Sequence, residues 1–305
     1  MRAKQIAILA CALAGGPLMA EAPQGQTAPP PAPPPITIQL KDGKVETTTG
    51  LRRDGNKLMA KITLPGAPGA GAPVAGEIGY PISNIANVEF PEPEQIKKAA
   101  ALLSGGNATE ALKLVEPVVS EAVPFRDVPG NWWAQAALVK LNALVALDRD
   151  APAETLGEEL RNSSADPELI FEARACLAAR QVRKGQRGSA QPVLDEIIQK
   201  SRSPEALAVA WLAKGQCLLE ENNADGALLA FLHVPVFYYD QKQQLAAAIL
   251  GSARAYAKID DHDRAMSALE ELIAQYPNSP EAGDAKRLLA KLQKNNPTSN
   301  NTKQE

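Results

Sequence analysis

Two histidines and three cysteines are what this 305-residue chain offers for nucleophilic or metal chemistry. Covalent catalysis needs a Ser, Cys or Thr beside a base that a third group orients. His233 lies in Phe231-Leu232-His233-Val234, an apolar run that makes it a packing residue. His262 lies in Asp260-Asp261-His262-Asp263, a cluster with the charge to attract a cation. Asp261 and Asp263, however, stand where a helix takes its N-cap and its first-turn acids. Capping is the reading adopted. Cys176, Cys217 and the two histidines are too scattered for a metal site. Gly105-Gly106 is followed by Asn107, without the Lys and Ser/Thr of a phosphate loop. Glu158-Glu159 and Glu270-Glu271 read as solvated helix faces. The expectation is no catalytic residue, no cofactor and no metal, and so no enzyme.

Composition points the same way. Hydrophobic residues make up 45% of the chain but aromatics only 4%, so the apolar weight lies in Ala, Leu, Val and Ile. That balance suits closely packed helices better than a thick β-sandwich. The net charge of −3 and the lack of a long Lys/Arg run leave no basic field for phosphates. Nucleic acid is excluded as an expected partner.

The first twenty residues read as an export signal. Arg2 and Lys4 are basic, Ile6 to Ala14 is apolar, and Leu18-Met19-Ala20 offers a cleavage site before Glu21. The apolar run falls short of the roughly 20 residues that cross a bilayer, so no transmembrane segment is expected after cleavage. Ile8-Leu9-Ala10 before Cys11 is a poor lipidation signal. The chain is therefore read as exported, periplasmic or envelope-associated. Cys176 and Cys217 then meet conditions that allow a disulfide, although two small buried residues is the plainer reading.

Residues 21–35 form a linker dense in proline, a stiff tether by composition. Residues 36–90 change to β character. Ile36 to Leu40 alternates, Lys41-Asp42-Gly43-Lys44 turns, and Val45 to Thr49 is β-branched. Arg53-Asp54-Gly55-Asn56 reads as a second turn, and Lys57 to Leu64 alternates again. After a Pro65–Gly76 loop come Glu77 to Tyr80 and Ile82 to Phe90, making five short strands in a small bent barrel. The module resembles Sm-like or SH3-like barrels. Its expected role is interaction or capping, with no RNA-binding role carried over.

From residue 93 to 292 the sequence is helical and periodic. Ala111, Ala153, Ala190, Ala227 and Ala265 each follow a Gly/Asn/Asp turn and lie 37 to 42 residues apart. Trp211, Gly215, Leu218, Ala227 and Phe231 share their offsets with Ile249, Ala253, Tyr256, Ala265 and Leu269, and Pro277 follows. Ile96, Ala99, Leu102, Ala111 and Val115 form a fainter copy, and the second and third copies are weak. Trp132-Trp133 is read as a plug between the first two copies. This order of large and small positions resembles the tetratricopeptide repeat (TPR), a pair of crossing helices. The fold expected is mainly α: a TPR-like solenoid of about five helical hairpins, with Glu281 to Leu292 as a capping helix, preceded by the β module. Residues 293–305 are polar and read as a disordered tail.

The resemblance implies a concave groove lined by first-helix residues. On this chain these are Asn142, Arg183, Gln216, Glu220, Arg254 and Lys258. Phe237, Tyr238 and Tyr239 hold three of the ten Phe and Tyr residues, and form either a partner site or a staple between hairpins four and five. The segment "AQYPNSPEAGDAKRLLAKL" is similar to the last repeats of periplasmic proteins that coordinate envelope machinery. The function expected is a non-enzymatic scaffold or adaptor that binds a protein or peptide in the cell envelope. A homo-oligomer is a further possibility. The alternative is an accessory subunit of an envelope enzyme or carbohydrate-binding system, with the β module as ligand site. That alternative needs an aromatic platform, and the module carries only Tyr80 and Phe90.

Overall fold

In the amino-terminal module, alternating side chains put one face of each strand inside. The computed structural model describes residues 34–64, 74–163 and 166–295. The expected signal, nearly all of the linker, the core of the 65–76 loop and the last ten residues lie outside that range. Strands β1 (Ile36–Leu40), β2 (Val45–Thr48), β3 (Leu51–Asp54), β4 (Lys57–Leu64), β5 (Val74–Pro81) and β6 (Ile85–Glu89) form two antiparallel sheets, ordered β2-β1-β6 and β3-β4-β5. Ile38 stands opposite Glu46 on one side and Val88 on the other. Ile38, Leu58, Ala60, Ile85 and Val88 are buried in the module's core.

Six strands replace the five anticipated. The turn read at Arg53-Asp54-Gly55-Asn56 is there but tighter: Arg53 pairs with Leu58 and Asp54 with Lys57, so Arg53 and Asp54 end a strand and Gly55-Asn56 alone make the turn. Ile82–Asn84 is a 3-10 turn and not the start of the last strand, and β5 begins at Val74, ahead of Glu77. The buried Thr48 joins the sheets: its hydroxyl donates to the Lys61 carbonyl at 2.7 Å and accepts from the Gly50 amide at 3.2 Å.

The remaining described residues form eleven helices: α1 (Glu94–Ser104), α2 (Ala108–Ala122), α3 (Trp133–Ala146), α4 (Asp150–Arg161), α5 (Pro167–Arg183), α6 (Arg187–Lys200), α7 (Pro204–Glu220), α8 (Ala224–Phe237), α9 (Lys242–Lys258), α10 (His262–Gln275) and α11 (Glu281–Asn295). They pair as five hairpins and a terminal helix, as the sequence pattern implies. First helices pack on one another in succession, α1 on α3 and so on to α9 on α11. Each second helix packs between its own first helix and the next one. This arrangement makes a solenoid with the first helices on one side. The terminal helix puts Ala282, Ala285 and Leu292 into the last core cluster and runs on to Asn295, past Leu292.

The loop between α2 and α3 belongs to both parts. Val128 is buried in the β core, and the Phe125 ring lies 5.4 Å from that of Phe90. The Val88 amide donates to the Pro129 carbonyl at 3.0 Å, and Arg53 ion-pairs with Asp127. The two tryptophans divide the expected plug between them. Trp133 is buried in the core shared by the first two hairpins, while Trp132 donates its indole N–H to the Phe90 carbonyl at 3.0 Å.

Candidate functional site

Each hairpin is built around one backbone device. The residue five before each key alanine is left-handed: Gly106, Asp148, Gly185, Asn222 and Asp260 have φ of 80°, 57°, 78°, 61° and 61°. The next residue closes the turn with an amide-to-carbonyl bond five residues back, from Asn107, Arg149, Gln186, Asn223 and Asp261 to Leu102, Leu144, Gln181, Leu218 and Tyr256, at 2.8 to 3.0 Å. Such a bond satisfies orphan carbonyls of the first helix, and the following residue starts the second. In the last two hairpins the side chains of Asn223 and Asp261 cap α8 and α10. The acidic cluster around His262 is thus accounted for by capping.

The close helix crossings follow from volume. Ala111, Ala153, Ala190, Ala227 and Ala265 are all completely buried. Twelve residues before and four after each alanine stand the paired positions Ala99–Val115, Ala178–Leu194, Gly215–Phe231 and Ala253–Leu269. A methyl group on Gly215 would meet the Phe231 ring at 2.6 Å, and one on Gly251 of the next first helix would meet the same ring at 2.6 Å. Phe231 is therefore the wedge between hairpins four and five. In the second hairpin the sizes are exchanged: Leu141 takes the small position and Gly157 the large one. Leu177 fills the space over Gly157.

Charged residues tie consecutive hairpins together. Asp150 accepts from Arg180 at 2.9 Å and from Lys184, and Arg180 also pairs with Asp148. These two cations hold the Asp150 carboxyl below its ordinary value. Asp150, Arg180 and Lys184 line a cavity of about 360 Å³ with Glu154 and Glu158. The Asp150 carboxylate is already paired with two cations, which makes it a poor general base. Glu168 spans to the loop before α7, accepting from the Ser201 hydroxyl at 2.7 Å and the Ser203 amide at 2.8 Å.

The six groove residues divide into two sets. Glu220 pairs with Arg187 of the preceding hairpin, and Arg254 pairs with Asp284 of α11 at 2.8 Å. Lys258 donates to the Leu219 carbonyl at 2.9 Å and to Asn222 at 2.7 Å. These three are engaged in holding neighbours. Asn142 and Gln216 are half-buried and Arg183 is exposed, and none of the three side chains makes a hydrogen bond or ion pair among the described residues. The Gln243 side chain, at the start of α9, donates to the Ser104 hydroxyl, at the end of α1, at 2.5 Å, so the first and fifth hairpins meet there.

The aromatic segment after Val234 is split. Val234 and Tyr238 pack with Trp211, Leu245 and Ala248, as a staple would. Val236, Phe237 and Tyr239 stay 61%, 64% and 73% exposed, which the packing reading did not anticipate. His233 stacks on Trp211 with ring centres 3.8 Å apart.

Chemistry finds little foothold elsewhere. Cys176 and Cys217 are both free thiols. Burial pushes the Cys176 thiol, half-buried against the first core, up to about 11 and also raises that of the buried Cys217, which leaves neither as a thiolate at neutral pH. Among the described residues no three His, Cys, Asp or Glu side chains gather as a metal site, and no helix is long and apolar enough to cross a membrane. Tyr80 and Phe90 both pack against the β core, so they form no open platform for a sugar. None of the curated proteins compared with the chain matches it. Residues 247–279, which span most of α9, all of α10 and the turn beyond, match the family model of the tetratricopeptide repeat.

Proposed function

We propose that the chain is a non-enzymatic exported scaffold of the cell envelope, which holds a protein or peptide partner in the trough formed by its first helices. The observation that carries this reading is the run of five hairpins with fully buried alanines at their crossings. It stacks the first helices side by side and leaves their polar positions Asn142, Arg183 and Gln216 without internal partners. Export is supported by the basic, apolar and small-residue order of the first twenty residues. The Ser104–Gln243 bond is a single exposed contact, worth on the order of 1 kcal/mol, and yields readily to an entering segment.

Cross-linking pull-down from envelope extract tests both parts. Arg254 and Lys258 are unsuitable targets, because changing them also cuts ties between hairpins. The informative variant is Asn142→Ala/Arg183→Glu, which should lower partner recovery several-fold without moving the melting temperature. Equal recovery by variant and wild type would remove the trough as the binding site. A full-length chain recovered from the cytoplasm with Met1 still in place would remove the export.

A further inference from the structure

The last nine residues of α8 leave an apolar stripe uncovered. Leu229, Val236 and Phe237 are 64%, 61% and 64% exposed, and Tyr239 just beyond the helix is 73% exposed. Second helices in a solenoid normally turn a polar face outward, and a helix that is apolar all round is one that something covers. No Asp, Glu, Lys or Arg occurs from Gly226 to Tyr239.

The geometry points to a second copy of this chain as the cover, with the two α8 helices packed antiparallel about a two-fold axis. Two of the four open residues are placed evenly about His233: Leu229 lies four residues before it and Phe237 four after. Antiparallel copies therefore place Leu229 of each against Phe237 of the other, with the two Trp211-stacked His233 rings at the axis. An isologous contact sets each patch against itself, so a charge-free stripe is a surface that can do this without repulsion. The open parts of the four side chains come to about 500 Å² per chain. Two copies then bury about 1,000 Å², which is the lower end for specific association and implies a weak, concentration-dependent dimer. This surface is formed by a second helix and is independent of the first-helix trough.

Sedimentation equilibrium of the full chain, from about 1 to 100 μM, reads the assembly directly. Wild type should move from one to two chain masses across that range. Leu229→Lys and Phe237→Glu should each weaken association at least tenfold while leaving the melting curve in place, because both positions face water. The double variant Leu229→Lys/Phe237→Glu should recover it, since antiparallel pairing puts each lysine opposite a glutamate. A single chain mass at every concentration would overturn the proposal. So would single variants that associate like wild type, or a double variant that stays monomeric. A chain lacking residues 1–35 that no longer associates would assign the cover to that segment and would equally overturn it.

Discussion

Glu172 is a carboxyl whose charge the fold disfavours. Burial raises its carboxyl above the ordinary value, opposed by the Ser203 hydroxyl at 2.8 Å and reinforced by Glu205, Glu168 and Asp166. A raised carboxyl favours the folded chain only while it is protonated; that contribution is lost as pH rises through the folded value. At neutral pH the ionised group is a cost. Glu172→Gln keeps an acceptor for Ser203 and removes the charge, so it should raise the melting temperature by a few degrees at pH 7. The gain should vanish near pH 4, where the wild-type group is itself neutral. Thermal unfolding at the two pH values checks this. Glu168 and Glu196 have the opposite sign: Ser201 and the amides of Arg202 and Ser203 lower the first, and Arg174 and Lys200 lower the second to about 2. Their contribution is present above the ordinary range near 4.5 and is lost as pH falls below it. The partners of Glu168 lie thirty or so residues away on the next loop, so no local pattern revealed them; of the two partners of Glu196, only Lys200, four residues on along the same helix, is local.

At the scale of the element, a hairpin is set by the sum of two side-chain volumes. Ala178–Leu194 and Ala253–Leu269 fill the crossing one way, Gly215–Phe231 another, and Leu141 with Gly157 reverses the order. The five alanines and their turns were legible because backbone geometry demands them at fixed spacing. The second hairpin is a faint copy because its pair is reversed, large before small. The third hairpin, whose pair is regular, lacks the aromatic of the fourth. Strand β3 was missed for a related reason, since Arg53-Asp54-Gly55-Asn56 carries turn residues that continue a strand edge. The volume account makes a double-mutant prediction. Gly215→Ala drives a methyl group into the Phe231 ring and should cost about 1–3 kcal/mol. In a Phe231→Leu background the same change recreates the Ala–Leu pair of hairpins three and five, and its cost should fall to nearly nothing. Urea unfolding of the four chains measures that coupling, and equal costs in both backgrounds would refute the pairing.

At the scale of the molecule, the same left-handed turn repeated five times, with a close crossing in each hairpin, builds a curl. Each first helix packs on the next, and each second helix packs between two first helices, so every hairpin adds its own small rotation to the stack. The curl goes far enough that Gln243, at the start of α9, reaches Ser104, at the end of α1. Nothing in either residue foretold this, because a small rotation per hairpin becomes a contact only when summed over four steps. An extended stack would instead separate first helices one and five by about 40 Å, given about 10 Å per packed helix step. The two shapes are thus distinguished by one distance. Spin labels at positions 104 and 243, with Cys176 and Cys217 replaced by Ala and Ser, should give a narrow distribution under about 20 Å, half the extended value. Gln243→Ala, with labels placed at 100 and 247 so that Ser104 is kept, should broaden the distribution without shifting it toward 40 Å, because the curl is set by the hairpin crossings and not by that bond. A distribution centred near 40 Å in the free chain would mean that the crossings do not impose the curl.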